Sequence, residues 1–523
     1  MNMTALSSAA PAASGVHGLR LALAIAFLVA VTWLTWLGVG HLSGTLVVAT
    51  VIGVYMAMNI GANDVANNVG PAVGGRVMTM RWAIVVAALF EVLGAVLAGG
   101  EVTGTIKGGI IDPASINDPQ SFVWLMMAAL LAGALWLNFA TAIGAPVSTT
   151  HSIVGGVLGA GIAAAGWEVA NWAGVGRIAA SWVISPLMGG ILAAALLYLI
   201  KRSITYQRDL MQAARRAVPI LIGFMAWAFT SYLLLKGLSK VVKVSPLLAM
   251  TAGLAMGVAT MLFLGWRIGR RAPGLSNDKE GVNRLFAVPL IFAAALMSFA
   301  HGSNDVSNAI GPLAAVHDVL VGSPDGGDSA AIPFWILLVG ALGIAVGLAL
   351  YGPRLIRTVG SEITDMDPMR AYCIAVAAAV TVILASHLGL PVSSTHVTIG
   401  AIFGVGFLRE YLKANYQRII AEIEEHHRTQ AHGLEVVEAF LLRFEAAPVA
   451  EKDRMLRDLK KQGRAGKTHI SKQERKGLRR VHRRELVKRA VMMRVVAAWL
   501  VTVPASALIA AIAYYAIRGA MLP

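Results

Sequence analysis

Gly61-Ala62-Asn63-Asp64-Val65-Ala66-Asn67-Asn68-Val69-Gly70-Pro71 is written twice in this chain, the second time as Gly302-Ser303-Asn304-Asp305-Val306-Ser307-Asn308-Ala309-Ile310-Gly311-Pro312. The copies are 241 residues apart, and Gly, Asn, Asp, Val, Asn, Gly and Pro recur without a gap. Each copy ends a long apolar run, so an acid and two amides stand where hydrocarbon is expected. A second phrase also repeats, Pro146-Val147-Ser148-Thr149-Thr150-His151 and Pro391-Val392-Ser393-Ser394-Thr395-His396, 245 residues apart. Two polar phrases, each used twice in the same order, describe a duplicated membrane protein with one composite site.

Composition agrees. The chain is 57% hydrophobic and 14% charged, far from the roughly 25% charged residues of soluble domains. Its 54 glycines suit transmembrane helices, where glycine lets backbones approach. The single cysteine, Cys373, lies in an apolar run and excludes an intramolecular disulfide. The formal charge of +16 is concentrated: residues 409–494 hold 22 Lys and Arg against 12 Asp and Glu, a net +10. Positive charge beside apolar spans is the positive-inside signal, with attraction to anionic lipid, rather than a nucleic-acid footprint.

Thirteen apolar runs follow one another, near 19–38, 45–62, 81–98, 122–139, 146–166, 177–200, 218–235, 246–266, 285–302, 331–351, 371–387, 390–408 and 494–517. About 20 apolar residues cross the hydrocarbon layer. The first run is too long for a signal-peptide core and lacks a small-residue cleavage site, so it reads as a retained helix. Runs 146–166 and 390–408 are glycine-rich with polar starts, and each reads as a crossing or as half of a re-entrant hairpin.

Charge orients the spans. The loop with Asp318, Asp325 and Asp328 has no Lys or Arg and faces outside, whereas Arg354, Arg357, Arg370 and the 409–493 segment face inside. Runs 371–387 and 390–408 join two inside loops, so both are expected to cross. Arg76, Arg81, the Lys201–Arg216 cluster and Arg267–Arg271 then fall inside, with only Lys236, Lys240 and Lys243 on the wrong side. This places the N-terminus inside and the C-terminus outside. Seven crossings separate the starts of the two Asn-Asp helices. An odd number makes the repeats inverted, the architecture by which secondary transporters build a midplane site. The expected fold is an all-α integral membrane protein, an inverted-repeat transporter of about 12–13 transmembrane segments with broken helices or hairpins. Its parts are an N-terminal tail and extra helix (1–44), a first repeat (45–200), central connecting helices (201–284), a second repeat (285–408), a basic helical insert in the cytoplasm (409–493) and a C-terminal helix (494–523).

The repeated phrases carry the chemistry. Hard cations such as Na⁺ take carboxylate, amide and carbonyl oxygens, and Asn63, Asp64, Asn67, Asn304, Asp305 and Asn308 offer that set. Asn63 and Asn67 share a helix face. The glycines and prolines flanking each phrase are expected to break the helices and free carbonyls. In the Pro-Val-Ser phrases, proline at a helix start and hydroxyl caps would aim Ser148, Thr149, Thr150, Ser393, Ser394, Thr395 and free amides at a tetrahedral oxyanion. Isolated, such a phrase reads as a helix cap. His151 and His396 would donate to the anion, relay protons or simply pack. Glu91 has no evident repeat partner and would pair, titrate or help hold a cation. Two aspartates and a divalent anion in one low-dielectric centre repel, so joint occupation requires cations or protons.

The paired phrases resemble those of the PiT family of inorganic phosphate transporters, over roughly 45–408 and the last helix. The resemblance implies that the chain is not an enzyme but a cation-coupled symporter of phosphate with Na⁺ or H⁺. It further implies alternating access in the inner (plasma) membrane, a homodimer among membrane lipids, and no bound cofactor. It assigns Asp64, Asn67, Asp305 and Asn308 to cation sites, with Na⁺ at Asp64 and Asp305, and the Ser/Thr groups to phosphate. In bacterial members phosphate also travels as a neutral complex with a divalent metal. The leading helix and the 409–493 insert depart from the family pattern. A sulfate permease of the same fold is the nearest alternative. An ion channel is the next, and an intramembrane serine hydrolase lacks its Gly-x-Ser-x-Gly elbow.

Overall fold

The computed structural model describes residues 10–39, 43–112, 115–116, 118–237, 244–271, 274–321, 332–362, 366–429, 439–443, 455, 458–459 and 489–521. The helices are α1 (Ala10–Val39), α2 (Gly44–Gly74), α3 (Met80–Ala98), α4 (Gly100–Gly108), α5 (Pro119–Ile143), α6 (Thr149–Ala165), α7 (Trp172–Ile200), α8 (Leu210–Tyr232) and α9 (Pro246–Arg271). They continue with α10 (Lys279–Leu285), α11 (Ala287–Asp305), α12 (Ser307–Val321), α13 (Phe334–Glu362), α14 (Pro368–His387), α15 (Ser394–Thr429) and α16 (Arg489–Met521). Among the described residues 11 helical stretches are long and apolar enough to span a membrane, α11 and α12 together making one of them. Large apolar side chains such as Leu187, Ile191, Leu254, Phe263 and Leu508 face outward, as a lipid-facing surface requires.

Polar punctuation sets the helix starts. Asp118 and Asp367 accept from the first-turn amides of α5 and α14, each followed by proline at the first helical position. The Ser121 hydroxyl and the Gln120 amide hold the Asp118 carboxyl below its usual range. Burial pushes Asp367 up, but Arg370 and Lys279 outweigh it and hold this carboxyl low as well. Gly144 and Gly389, at φ +76° and +66°, turn the chain out of α5 and α14, a conformation glycine adopts without penalty.

The repeats interlock. The first helix of each packs on the second helix of the other, α2 on α13 and α11 on α3, while α6 packs on α16 and α15 on α7. Gly61 and Gly302 make the first crossings close: a Cβ would lie 2.0 Å from the Ile344 carbonyl oxygen and 2.1 Å from that of Glu91. These two glycines are repeat twins, so Ile344 is the twin of Glu91, for which the sequence shows no counterpart. Similarly, Gly155 and Gly400 lie against the backbones of Val503 and Pro186, which makes α16 the twin of α7, beyond the insert.

Two expectations change. The first Asn-Asp phrase does not break: α2 runs through Gly61, Gly70 and Pro71 to Gly74. The second breaks at Val306, directly after Asp305, rather than at its glycines or Pro312. The first half-hairpin, α6, has only 17 residues and returns to an antiparallel bridge between Ile111 and Ala170, beside the loop that leads into α5. The first hairpin therefore starts and ends at one face, and parity of crossing is kept there whether its arms cross fully or not. The insert begins as a continuation of α15 to Thr429, and its second arm lies largely outside the described residues, as do Lys240 and Lys243. Lys236 pairs with Glu101 at 3.3 Å.

Candidate functional site

The repeated asparagines, aspartates and hydroxyl residues meet at one buried centre, but in divided roles. Asn63 and Asn304 brace the hairpin tips. Asn63 donates to Thr141 Oγ1 (3.0 Å) and the Ala145 carbonyl (3.4 Å) and accepts from the Val147 amide (3.3 Å). Asn304 does the same with Ser386 (2.9 Å), Leu390 (3.2 Å) and Val392 (3.3 Å). With its amide turned over, Asn63 would instead donate to Asp64 Oδ1 at 3.2 Å and to the Val147 carbonyl at 3.1 Å; either orientation joins α2 to the hairpin. Asn63 and Asn67 thus diverge, the first toward its own hairpin and the second toward that of the other repeat.

The exchange across repeats is reciprocal. Asn67 donates to Thr395 Oγ1 at 2.8 Å, and that hydroxyl lies 3.0 Å from Asp64 Oδ1 and 3.4 Å from the Val147 carbonyl. Asn308 donates to Thr149 (3.3 Å) and Thr150 (3.2 Å), and Thr150 donates to the Val392 carbonyl at 3.0 Å. Asp305 Oδ2 accepts from Ser394 at 3.0 Å and Thr149 at 3.4 Å. Ser148 and Ser393 cap α6 and α15, accepting from the amides of His151 and His396 at 3.1 and 3.2 Å. The helix starts therefore face one another, with first-turn amides that have no intrahelical acceptor.

Four acceptor oxygens at this centre, Asp64 Oδ2, Asn67 Oδ1, Asp305 Oδ1 and Asn308 Oδ1, are buried without a donor. They form a symmetric set, one carboxylate and one amide oxygen from each repeat. Buried acceptors are normally satisfied, and oxygens of this kind are what a hard cation takes.

His301 joins this centre although the repeated motifs do not reveal it. Its Nε2 stands 3.1 Å from Asp305 Oδ2 and 3.7 Å from Asp64 Oδ2, while Nδ1 stands 3.3 Å from Glu91 Oε1. Glu91 in turn accepts from Asn68 at 2.6 Å. Ligating atoms of Asp64, His301 and Asp305 all lie within 4.8 Å of one another. A signal for it does exist: His301 precedes Asp305 by four residues, one helical turn, at the position where the first copy has Ile60. His151 and His396 lie elsewhere, buried within a column of rings running Trp182, His151, His396, Trp499 with centroid spacings of 3.8, 4.4 and 3.7 Å, the two indoles half-buried at its ends. No hydrogen bond joins either imidazole to the hydroxyls that surround the aspartates. The two indoles are twins, 317 residues apart on α7 and α16.

Interlocked helical halves, an apolar exterior and a buried polar centre shared between repeats define a multi-pass membrane protein of the transporter class. The chain belongs to the phosphate transporter family, whose model matches residues 60–510. It is 51% identical over 506 residues, 95% of each chain, to a Helicobacter pylori protein named "Putative phosphate permease". It is 39% identical over 381 residues to one of the same description from Pyrococcus abyssi, covering 72% of this chain and 92% of that protein. A solved structure described as the sodium-dependent phosphate transporter is similar over 92% of this chain and 100% of its own, with a TM-score of 0.73 and 30% identity.

Proposed function

We propose that this protein carries inorganic phosphate across the membrane together with Na⁺, by alternating access. The carrying observation is the set of four donor-free oxygens on Asp64, Asn67, Asp305 and Asn308 beside two opposed helix starts. Phosphate would be held by the first-turn amides of α6 and α15 and by Ser148, Thr149, Thr150, Ser393, Ser394 and Thr395. The ions would sit on the oxygens.

Charge makes the two bindings interdependent. Two carboxylate charges within 4.8 Å repel by roughly 3 kcal/mol at an effective dielectric near 20, before a phosphate adds its own. Cations on the carboxylates remove that cost, so each substrate raises the affinity for the other. Proton coupling would meet the same charge requirement, but it would leave the amide oxygens of Asn67 and Asn308 unused. Similarity to a transporter described as sodium-dependent favours the ion.

The two halves enter from opposite faces in this reading, with the N-terminus and residues 409–493 in the cytoplasm of an inner-membrane protein. Rocking between interlocked halves would expose the site to one face at a time. Uptake of radiolabelled phosphate into proteoliposomes tests this, with Na⁺ and pH gradients imposed separately and sulfate as competitor. A Na⁺ gradient should drive saturable accumulation against the phosphate gradient. Accumulation driven equally well by a pH gradient in Na⁺-free buffer would overturn the coupling ion. Flux that never exceeds equilibrium would make the protein a channel.

A further inference from the structure

Beside the 388–390 hairpin tip lies a cavity of about 340 Å³. Its walls are the end of α4 (Gly104, Thr105, Gly108), the start of α7 (Asn171, Gly174, Arg177) and the tip itself. Arg177 is the one charged side chain among the lining residues. Cations on α4 and just beyond α8 are consumed, Lys107 by Asp318 and Lys236 by Glu101, whereas Arg177 forms no ion pair with a described acid.

The floor of the cavity leads into the site. Leu390 O accepts from Asn304 at 3.2 Å, and three residues further the chain reaches the helix cap Ser393, about 10 Å of backbone at most. The tip is held at two points, by Thr105 Oγ1 donating to the Gly389 carbonyl at 2.7 Å and by Trp182 Nε1 donating to the Pro391 carbonyl at 3.2 Å. Here, then, is a polar recess with an unpaired guanidinium, closed on its inner side by a latched hairpin that carries half of the proposed phosphate ligands.

We propose that this recess is an antechamber in which Arg177 captures a tetrahedral oxyanion, inorganic phosphate in the reading above, before the hairpin admits it. A guanidinium is suited to this because its fork of donors matches phosphate oxygens. Exposed, it holds the anion too weakly to trap it. A single positive charge at a narrow entrance raises the capture rate and leaves the later steps untouched. The proposal rests on phosphate being the substrate, and its test separates the two ideas.

Arg177→Glu should raise the phosphate KM by about 10-fold and Arg177→Gln by about 3-fold, with Vmax kept and the dependence on ionic strength flattened. The change should appear only when phosphate is supplied at the face bearing this recess, tested in vesicles of both orientations. In Arg177→Cys, a trimethylammonium thiosulfonate should restore the low KM and a sulfonate reagent should not; the buried Cys373 sets the background. In Gly104→Cys, a lining position where a side chain meets nothing within 4 Å, inorganic phosphate should slow thiol modification in detergent while Arg177 is present and should not when Arg177→Gln is added, a readout that needs no transport. An unchanged KM in Arg177→Glu, or an equal change from both faces, overturns the antechamber. Failure of the unmodified protein to take up phosphate overturns the substrate instead. In that case phosphate protection of the Gly104→Cys thiol, present or absent with Arg177 intact, decides whether the recess binds the anion.

Discussion

The two halves of this molecule agree in how they hold the chain and differ in how they hold charge. Asn63 and Asn304 brace their hairpins with matching bonds, and Thr150 and Thr395 reach across to Val392 and Val147 in the same way. Around the aspartates the symmetry stops. On one side stand His301, Glu91 and Asn68, all buried and in contact. The twin positions are Ile60, Ile344 and Ala309, an apolar set that packs without polar demands. Duplication thus supplies two equivalent hairpins, and three substitutions make the two proposed cation sites unequal. Asp305 has an imidazole at 3.1 Å, whereas Asp64 has it at 3.7 Å. An ion bound as proposed at one aspartate would therefore meet a different field from an ion at the other.

The largest expected effect falls on what the halves share. Asp64→Asn and Asp305→Asn should each reduce Na⁺-driven phosphate uptake by more than about 100-fold, in protein that still elutes as a folded species, because each removes a charge that the ion must meet. Comparable loss in both would show that the two acids are equally required. Normal uptake in either would break the pairing.

Next comes the difference itself. Installing the apolar twin residues, through His301→Ile with Glu91→Ile and Asn68→Ala, should lower concentrative uptake by about 10- to 100-fold. Tm should stay level or rise, since apolar packing commonly replaces a buried ionic cluster without loss. Retained uptake would mean that the asymmetry is ornamental.

Smaller effects test the packing. Gly61→Ala and Gly302→Ala each drive a methyl into a carbonyl oxygen, and each should cost about 1–3 kcal/mol of stability, read as a fall in Tm. Unequal losses would show that one crossing is more compliant than its twin. The smallest change is expected at the caps. Ser148→Ala and Ser393→Ala should cost about 1 kcal/mol each, and together they should raise the phosphate KM several-fold. An unchanged KM would restrict both hydroxyls to capping.

Much of the fold and the site is legible in the amino-acid sequence. The repeated phrases, their spacing and the apolar runs stand there because hydropathy and residue order are local properties. Asp64, Asp305, Thr149, Thr150, Ser394 and Thr395 do converge. The division of labour among the asparagines is not legible: i and i+4 share a helix face, but neighbouring hairpins on different sides draw Asn63 and Asn67 apart. The helix break departs from expectation for a similar reason. Glycine and proline permit a break without fixing its place: Gly61 and Gly302 pack equally closely on the opposite repeat, yet α2 stays continuous and the second copy gives way at Val306.

By itself the sequence determined that the chain is a duplicated membrane protein, which residues would be polar inside it, and to which family its motifs point. Only the tertiary structure decided which repeat serves which partner, that His301 joins the acids through a contact with Glu91, and that Ile344 stands in Glu91's place. Those pairings depend on helices from distant parts of the chain crossing at glycine contacts of about 2 Å from an imagined Cβ. Such close approach is a property of the packed whole, and no periodicity within one helix records it.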